Sequence, residues 1–316
     1  MERCLDSLIS RRRWLSGAAT IGAAGVLGLP VRGTAADAPA HKFKIGSAEV
    51  VVISDGDFTL PASFVLPGRP DAEIEGVFKK AGIAPATIKA EVNVVVIKLG
   101  SETILIDTGA GPDFMPTLGR LADRLEAAGV KPEEVTKVVF THAHADHLWG
   151  VIDPLGGGSL FEKAQHVMTA VERDYWLQAD VESRVAEPFK AMAAGTHRRL
   201  KSIADRIQTA VAGTEIVPGL AYVDTAGHTP GHVSVLLKSG SEQLLIGGDA
   251  LVNAAVSFAE PAWRWGSDMD PDRAIATRIR LLDRLATEKI ALTGYHLPWP
   301  GVGRVERKDG AYRFVQ

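Results

Sequence analysis

The amino-acid sequence predicts an α/β protein built from two β-sheets that are covered by helices. Short apolar runs of the length expected for buried strands occur in both halves of the chain, and segments with helical periodicity follow them. Layers of this kind bury the apolar faces of both sheets. Several of the apolar runs are followed by histidine or aspartate, so polar side chains are predicted where strands end.

Three apolar runs in the first half of the chain predict buried strands. Residues 50–53 and 103–106 consist mainly of valine, isoleucine and leucine, and residues 92–97 form a longer run in spite of the polar Asn93. β-branched residues favour strands, and a continuous apolar run fits a strand that is buried on both faces. We therefore expect all three runs inside a sheet.

Three later segments predict helices. Residues 118–128 have apolar side chains at helical spacing and end before Gly129, and residues 171–194 indicate helical segments that are interrupted near Pro188. The clearest amphipathic pattern covers residues 273–286. It places four apolar side chains on one predicted face, namely Ile275, Ile279, Leu282 and Leu285.

Residues 141–147, Thr-His-Ala-His-Ala-Asp-His, predict a metal site. They place three of the nine histidines of the chain within six residues, directly after an apolar run. Imidazole and carboxylate suit zinc and its neighbours in the first transition row. His142 and His144, two residues apart at a strand end, can project to the same side, while Asp146 and His147 can face a second ion. The alternative is an exposed polar loop.

Three further residues occupy similar positions later in the chain. His228, Asp249 and His296 each follow a short apolar run that ends a few residues earlier. A metal site at the edge of a sheet needs its ligands there, because strands are rigid and loops leave room for a substrate. His232 is expected to be structural or to support a ligand.

Together these motifs resemble the metallo-β-lactamase superfamily. The order His-x-His-x-Asp-His, then a distant histidine, an aspartate and a last histidine, is that of the family, and residues 106–109 resemble its Asp-Thr-Gly loop. The resemblance runs from about residue 43 to the C-terminus. It implies an αββα sandwich, in which two sheets pack face to face with helices outside. We predict one hydrolase domain of this fold over residues 37–316.

The resemblance also implies the metal ligands and their chemistry. One ion would be held by His142, His144 and His228 and a second by Asp146, His147 and His296, with Asp249 as a bridge. We expect two divalent ions, zinc first, with manganese, iron or cobalt as alternatives. Two neighbouring dications lower the pKa of a bridging water, so hydroxide is available near neutral pH. Asp146 is expected to accept the proton released on attack, and Asp107 to support the loop beneath the metals.

The predicted reaction is hydrolysis of an ester-type bond in a lactone, an aryl ester or a phosphotriester. Residues 116–121 and 300–303 resemble methyl parathion hydrolase-like and lactonase-like members of the superfamily. In the former, aromatic residues line a leaving-group pocket, and the matching residues are Phe114, Trp176 and Phe189. Ordinary core packing is the alternative for all three. Each candidate bond passes through an oxyanion that two metals can stabilise.

Two other functions share this fold. A glyoxalase II-like thioesterase would use the same ligand set, but it needs a basic patch for glutathione and the sequence shows no clear one. A redox module of the flavodiiron kind would need glutamate in place of a ligand histidine and a flavin domain. β-Lactamase activity is disfavoured because Asp249 stands where the commonest zinc β-lactamases have cysteine.

Residues 1–36 predict an export signal. Residues 10–15, Ser-Arg-Arg-Arg-Trp-Leu, resemble the twin-arginine motif, and a weakly apolar run over residues 17–30 precedes small residues that offer a cleavage site after Ala36. The run is too short and weak for a membrane span, which needs about 20 apolar residues. We expect the twin-arginine machinery to export the folded protein to the periplasm or beyond. An uncleaved anchor or a disordered tail is the alternative.

The net charge and the cysteine content limit which partners and which covalent cross-links are expected. The formal net charge is −3, and residues 1–36 contribute +3 through five arginines against Glu2 and Asp6, so residues 37–316 carry −6. An acidic balance does not favour nucleic acid, which usually needs a basic patch. The single cysteine, Cys4, lies in the predicted leader, so no disulfide is expected in the exported protein. The expected partner is a small ester-type substrate, and a homodimer is left open.

Overall fold

A computed structural model describes residues 40–82, 87–153 and 157–316 of the chain. The predicted leader, residues 1–36, lies outside the described residues. Within them the strands form two seven-stranded sheets. The first sheet contains, in spatial order, β1 (Ala40–Ile45), β2 (Ala48–Pro61), β3 (Thr87–Leu99), β4 (Glu102–Ile106), β5 (Lys137–Val139), β6 (Gln165–Thr169) and β7 (Ile207–Ala210). Its first four strands pair antiparallel and the remaining pairs are parallel.

The second sheet is built from the C-terminal half of the chain. It contains β8 (Glu215–Val217), β9 (Leu220–Asp224), β10 (Val233–Ser239), β11 (Glu242–Ile246), β12 (Ala291–Thr293), β13 (Val302–Lys308) and β14 (Ala311–Val315). Strand β11 pairs parallel with β12, and the other neighbours are antiparallel. Both sheets are therefore mixed, and each adds strands in chain order from one edge to the other.

The helices connect these strands. They are α1 (Ala62–Val65), α2 (Asp71–Lys80), α3 (Leu121–Ala127), α4 (Ala145–Leu148), α5 (Ala170–Trp176), α6 (Lys190–Ser202), α7 (Val256–Ala259) and α8 (Pro271–Glu288). Short 3₁₀ helices cover Pro132–Glu134, Trp149–Val151, Val181–Arg184, Glu187–Phe189, Ala204–Arg206 and Gly248–Ala250. Among the helices described, none is long and apolar enough to cross a membrane.

The buried side chains show four layers. Alternate residues of strand β2 point to opposite faces, as the period of a strand requires: Val50 and Val52 pack between the two sheets, whereas Val51 and Ile53 pack with residues of α3, α5 and α6. The cluster between the sheets also contains Val235 and Ile246 of the second sheet. The outer face of the second sheet packs against α7 and α8. The predicted αββα sandwich is thus confirmed.

The strand predictions are confirmed. The helix predicted over residues 118–128 begins later than its pattern suggests. Residues 50–53, 92–97 and 103–106 lie in β2, β3 and β4. Leu118 is buried as expected, but helix α3 begins only at Leu121. Gly119 has a φ of +81°, and a Cβ at this position would come within 2.6 Å of the carbonyl oxygen of Gly111. This left-handed residue ends the turn before the helix can form.

The predicted buried face of the last helix is partly wrong. Ile279, expected in the core, is exposed, while Arg278 beside it is buried. The guanidinium of Arg278 forms an ion pair with Asp268, and the hydroxyl of Thr277 donates to the carbonyl of Ala226. These polar contacts turn the helix so that Ala274, Leu281 and Leu285 face inward. Periodicity cannot foresee this, because it treats arginine as a surface residue.

Candidate metal centre

The seven predicted ligands meet at one end of the sandwich. Each follows a strand: His142 and His144 come after β5, His228 after β9, Asp249 after β11 and His296 after β12, while Asp146 and His147 lie on the short helix α4. All seven side chains are buried. Strand ends thus fix the ligands, and the loops leave one side of the site open to a cavity.

The first cluster contains three histidines and one carboxylate. Ligand atoms of His142, His144, His228 and Asp249 all lie within 4.8 Å of one another. His228 Nε2 is 2.9 Å from His144 Nδ1 and 3.2 Å from Asp249 Oδ2. His142 Nε2 lies 3.9 Å from the same carboxylate oxygen. This is the set that the resemblance implies for one ion and its bridge.

The second cluster contains Asp146, His147 and His296, whose ligand atoms also lie within 4.8 Å of one another. His296 Nε2 is 3.2 Å from Asp146 Oδ2, and His147 Nε2 is 3.6 Å from it. Asp249 joins this cluster through its other oxygen, since Oδ1 lies 3.1 Å from His147 Nε2 and 3.3 Å from His296 Nε2. One carboxylate therefore offers an oxygen to each cluster.

Unpaired polar atoms inside these clusters fit metal ions. Nε2 of His142, Nε2 of His147 and Oδ1 of Asp249 are buried and have no hydrogen-bond partner. Buried polar atoms are normally paired, because leaving one unpaired costs free energy. Nitrogen and oxygen donors in sets of three or four are the ligands that zinc and related ions take. The residues present therefore fit two divalent ions.

The charges of the carboxylates also raise the pKa of two histidines in the clusters. Burial disfavours a charged imidazole, but the charges of Asp249, Asp146 and Asp107 outweigh it and raise the pKa of His147 to about 10. Burial is likewise outweighed at His228, whose pKa rises to about 9 beside Asp249. An ion that binds at these nitrogens must displace their protons, so binding is expected to strengthen as the pH rises.

Asp107, predicted to support the loop beneath the metals, contacts His147 of the second cluster. Its Oδ2 lies 2.8 Å from His147 Nδ1 and accepts a hydrogen bond from the hydroxyl of Thr141, while Oδ1 accepts from the backbone N–H of Thr141. Tyr295 stacks on the His147 ring, with 3.8 Å between centroids. Asp107 itself has a φ of +61°, which aspartate tolerates better than most residues. These contacts fix the ring with Nε2 toward the cluster.

His228 has a support that the sequence did not reveal. Its Nδ1 lies 3.0 Å from Asp268 Oδ1, and Asp268 Oδ2 accepts from the buried guanidinium of Arg278 at 2.9 Å. Arg278 also donates to the carbonyls of Pro261 and Trp263. An arginine thus fixes an aspartate, which in turn fixes the imidazole, and such supports orient ligands and raise their basicity.

Two other ligands are held through backbone groups. His296 Nδ1 donates to the carbonyl of Glu91 at 2.7 Å. His232, expected to be structural or supporting, accepts the backbone N–H of Asp249 at its Nε2, while its Nδ1 lies 3.0 Å from the carbonyl oxygen of Thr225. Gly248 has a φ of +52° and no room for a side chain, since a Cβ would lie 2.7 Å from His232 Nε2. His232 therefore fixes the turn that presents Asp249.

Glu172 is a further buried carboxylate that the sequence did not reveal. It lies on helix α5, is fully buried, and accepts four hydrogen bonds from the loops around the first cluster and from Trp176. Burial raises its pKa, and these hydrogen bonds lower it again in part. A glutamate in the first turn of a helix looks ordinary in sequence, so no local signal could have found it.

A largely apolar cavity of about 240 Å³ opens onto the clusters. Asp146, His228, Asp249 and His296 line it together with His144, and apolar side chains from strands β2 and β3, from α1 and from residues 188–192 form the walls. Phe114 and Phe189, two of the three predicted pocket residues, are among the wall residues. None of the described residues that line this cavity is lysine or arginine.

Trp176, the third predicted pocket residue, does not line this cavity. It is fully buried, packs edge-on against the ring of His144 at 5.7 Å, and donates its indole N–H to Glu172. It lines instead a neighbouring cavity of about 420 Å³, which shares His144, Phe189 and Met192 with the first. Trp176 thus borders a cavity beside His144, and its pocket role stays a prediction next to the alternative of core packing.

Known proteins share this sequence pattern and fold. Residues 89–294 match the Metallo-beta-lactamase superfamily. The N-acyl homoserine lactonase AiiB of Agrobacterium fabrum is 24% identical over 231 residues, which make up 65% of this chain and 75% of that protein. The segment that matches the superfamily, residues 89–294, contains every predicted metal ligand except His296, which lies two residues beyond its end.

Two solved structures resemble the present one over nearly their whole length. AidC, a dizinc quorum-quenching lactonase solved with a product, is 26% identical with a TM-score of 0.82, and the match covers 87% of this chain and 96% of that chain. The hydrolase AbOPH is 27% identical with a TM-score of 0.80 and the same coverage. With the matched residues and the site described above, these likenesses show that the chain is a metal-dependent hydrolase that belongs to the metallo-beta-lactamase superfamily.

Proposed function

We propose that this protein hydrolyses the ester bond of a neutral substrate with an apolar substituent, and that the substrate is a lactone. The observation that carries the proposal is the position of the two ligand clusters at the base of an apolar cavity. A cavity of about 240 Å³ suits a small molecule rather than a polymer. The relatives named lactonases support the choice of a lactone.

The walls of the cavity disfavour the competing thioesterase. Phe58, Leu60, Phe64 and Ile88 contribute apolar surface, and the lining residues of the described chain include no lysine or arginine. An anionic group such as glutathione would need a cation to replace the water that it loses. An acyl chain or an aromatic ring loses no such interaction, and it gains from burial against these walls.

The chain supplies distinct functions around the reacting bond. When two ions are bound, they supply Lewis-acid chemistry that activates water and stabilises negative charge on the carbonyl oxygen. We propose that Asp146, which lines the cavity with Oδ2 3.2 Å from His296 Nε2, accepts the proton of the attacking water. The water oxygen bonds to the carbonyl carbon, the ring carbon–oxygen bond breaks, and the leaving oxygen takes up a proton. The apolar walls orient the substituent and exclude other water.

A direct assay tests the substrate class. Purified zinc-loaded protein would be incubated with an N-acyl homoserine lactone, a p-nitrophenyl ester and an aryl phosphotriester, and ring opening would be followed as the addition of one water by mass spectrometry. We expect the highest kcat/KM for the lactone and loss of activity on chelation. Asp123→Ala, a change of an exposed aspartate on α3, should leave activity intact. No hydrolysis of any of the three by zinc-loaded protein would refute the proposal.

We further propose that the two ions are zinc and that the folded protein is exported by the twin-arginine route to the periplasm or beyond. The zinc proposal is supported by the histidine-rich ligand set and by the relative described as dizinc. The export proposal is supported by residues 10–15 and the weakly apolar run that follows them. Metal analysis of protein purified without added metal tests the first, and cell fractionation tests the second.

A further inference from the structure

Glu172 connects the two loops that carry the histidines of the first cluster. Its Oε1 accepts the backbone N–H of Ala143 at 2.9 Å and the indole N–H of Trp176 at 2.7 Å. Its Oε2 accepts the hydroxyl of Thr229 at 2.7 Å and the backbone N–H of Gly231 at 2.9 Å. Both oxygens are thereby used, and the side chain is fully buried.

The partners of Glu172 are specific to one cluster. Ala143 stands between His142 and His144, while Thr229 directly follows His228. Trp176 adds a second contact to the same loop, because its ring packs against the ring of His144. Among the described hydrogen bonds of Glu172, none goes to Asp146, His147 or His296.

The first turn of helix α5, which carries Glu172, packs tightly against the loop that contains Gly231. The hydroxyl of Thr169 caps the helix by accepting the N–H of Glu172 and donates to the carbonyl of Gly231 at 2.8 Å. A Cβ at Gly231 would lie 2.3 Å from the backbone nitrogen of Glu172, so the loop and the helix are in direct contact. Little movement of either loop is possible while Glu172 keeps its four bonds.

We infer that Glu172 is a positioning residue that holds the two loops at the spacing the first metal centre requires, and so sets the metal affinity of that centre and not of the second. Ligand residues that are held in place lose less freedom when an ion binds, and removing such supports typically lowers affinity 10-fold to 100-fold. The inference rests on the proposed function, because it needs the first cluster to be a metal site.

Glu172→Gln tests the inference with nearly the same side-chain volume. Three of the four partners are N–H groups with fixed positions, and they face both oxygens. An amide NH₂ therefore meets an N–H donor whichever way it is turned, and at least one bond is lost. Thr229→Val is a milder variant that removes only the hydroxyl donor.

The measurement is a zinc titration of the metal-free protein in competition with a chromophoric chelator, which gives the two dissociation constants. His144→Ala identifies the binding step of the first centre. We expect Glu172→Gln to weaken that step about 10-fold to 100-fold, with the other step unchanged. Thr229→Val should weaken the same step by a smaller factor. Leu285→Ala, a change in the hydrophobic core on helix α8, should lower the melting temperature and leave both steps unchanged.

The outcomes separate the inference from the proposed function. Two zinc steps in the wild-type protein, with only the first-centre step weakened in Glu172→Gln, would support the inference. Unchanged steps in both Glu172→Gln and Thr229→Val, or equal weakening of both steps, would overturn it while the proposed function stands. A wild-type protein that binds no zinc would overturn the proposed metal centre itself, and the inference with it.

Discussion

The buried ion pair between Asp268 and Arg278 allows the loss of stability on breaking it to be predicted. Both side chains are 1% exposed, and Arg278 Nη2 lies 2.9 Å from Asp268 Oδ2. Asp268→Asn removes the only charge partner of Arg278 among the described ion pairs and leaves the guanidinium buried. Breaking such a pair typically costs about 3–5 kcal/mol. At about 2 °C per kcal/mol for a domain of this size, the melting temperature should fall by roughly 6–10 °C.

A double-mutant cycle separates this pairing from other effects of the substitutions. Arg278→Met should also destabilise the fold, but the double variant should lose about 0.5–3 kcal/mol less than the sum of the single variants, since neither charge then remains unpaired. Urea unfolding would be measured with chelator present, so that metal binding does not add to stability. The exposed pair of Arg264 and Asp272 is the control, and Asp272→Asn should cost less than about 1 kcal/mol. Additive losses in the cycle would refute the reasoning.

Four further predictions follow from the site and the sequence. Asp249→Ala should lower metal content and remove most hydrolytic activity, because both clusters share this carboxylate; near wild-type activity with two bound ions would contradict it. Trp176→Ala should cost about 3–5 kcal/mol of stability and reduce activity on short and long esters alike, whereas a selective rise in KM for long esters would restore a pocket role. Burial, helped by Arg206, lowers the pKa of His166 to about 4, so the fold favours the neutral ring; stability should be complete above about pH 6.5 and fall by about 3 kcal/mol as the pH drops to 4, and His166→Gln should flatten that slope in urea unfolding. Arg11→Lys with Arg12→Lys should keep the active enzyme in the cytoplasm, and unchanged periplasmic accumulation on cell fractionation would argue against the twin-arginine route.

The residues of the two clusters could be predicted because their signal is local. His142, His144, Asp146 and His147 lie within six residues, and the remaining ligands each follow an apolar run that the strand period identifies. The two-sheet architecture was predictable for the same reason. The runs at residues 50–53 in β2 and 92–97 in β3 are buried throughout, and apolar except at Asn93, because both faces of these strands are covered.

The supports of the ligands could not be predicted, because their partners are distant in sequence. Glu172 lies 59 residues from Gly231, and Asp268 lies 40 residues from His228. Neither carboxylate differs in its neighbours from a residue on a solvated surface. The burial of Arg278 depends on the same tertiary contact, and this is why the inward face of α8 was predicted wrongly in part. A sequence pattern alone does not show that a charged side chain is buried because it forms an ion pair with a residue distant in sequence.

The hairpin of β2 and β3 has an evolutionary consequence. The register shifts between Ser54 and Gly56, and beyond this irregularity the strands continue as an arm in which Phe58 pairs with Ala90 and Leu60 with Ile88. These arm residues line the cavity, whereas the residues before the shift pack between and around the two sheets. One pair of strands therefore contributes to the packing of the sandwich at one end and to the walls of the cavity at the other. Substitutions in the arm are expected to change which molecules fit the cavity, and the half-buried Phe58 and Leu60 are expected to tolerate them at lower cost in folding than the buried Ile88.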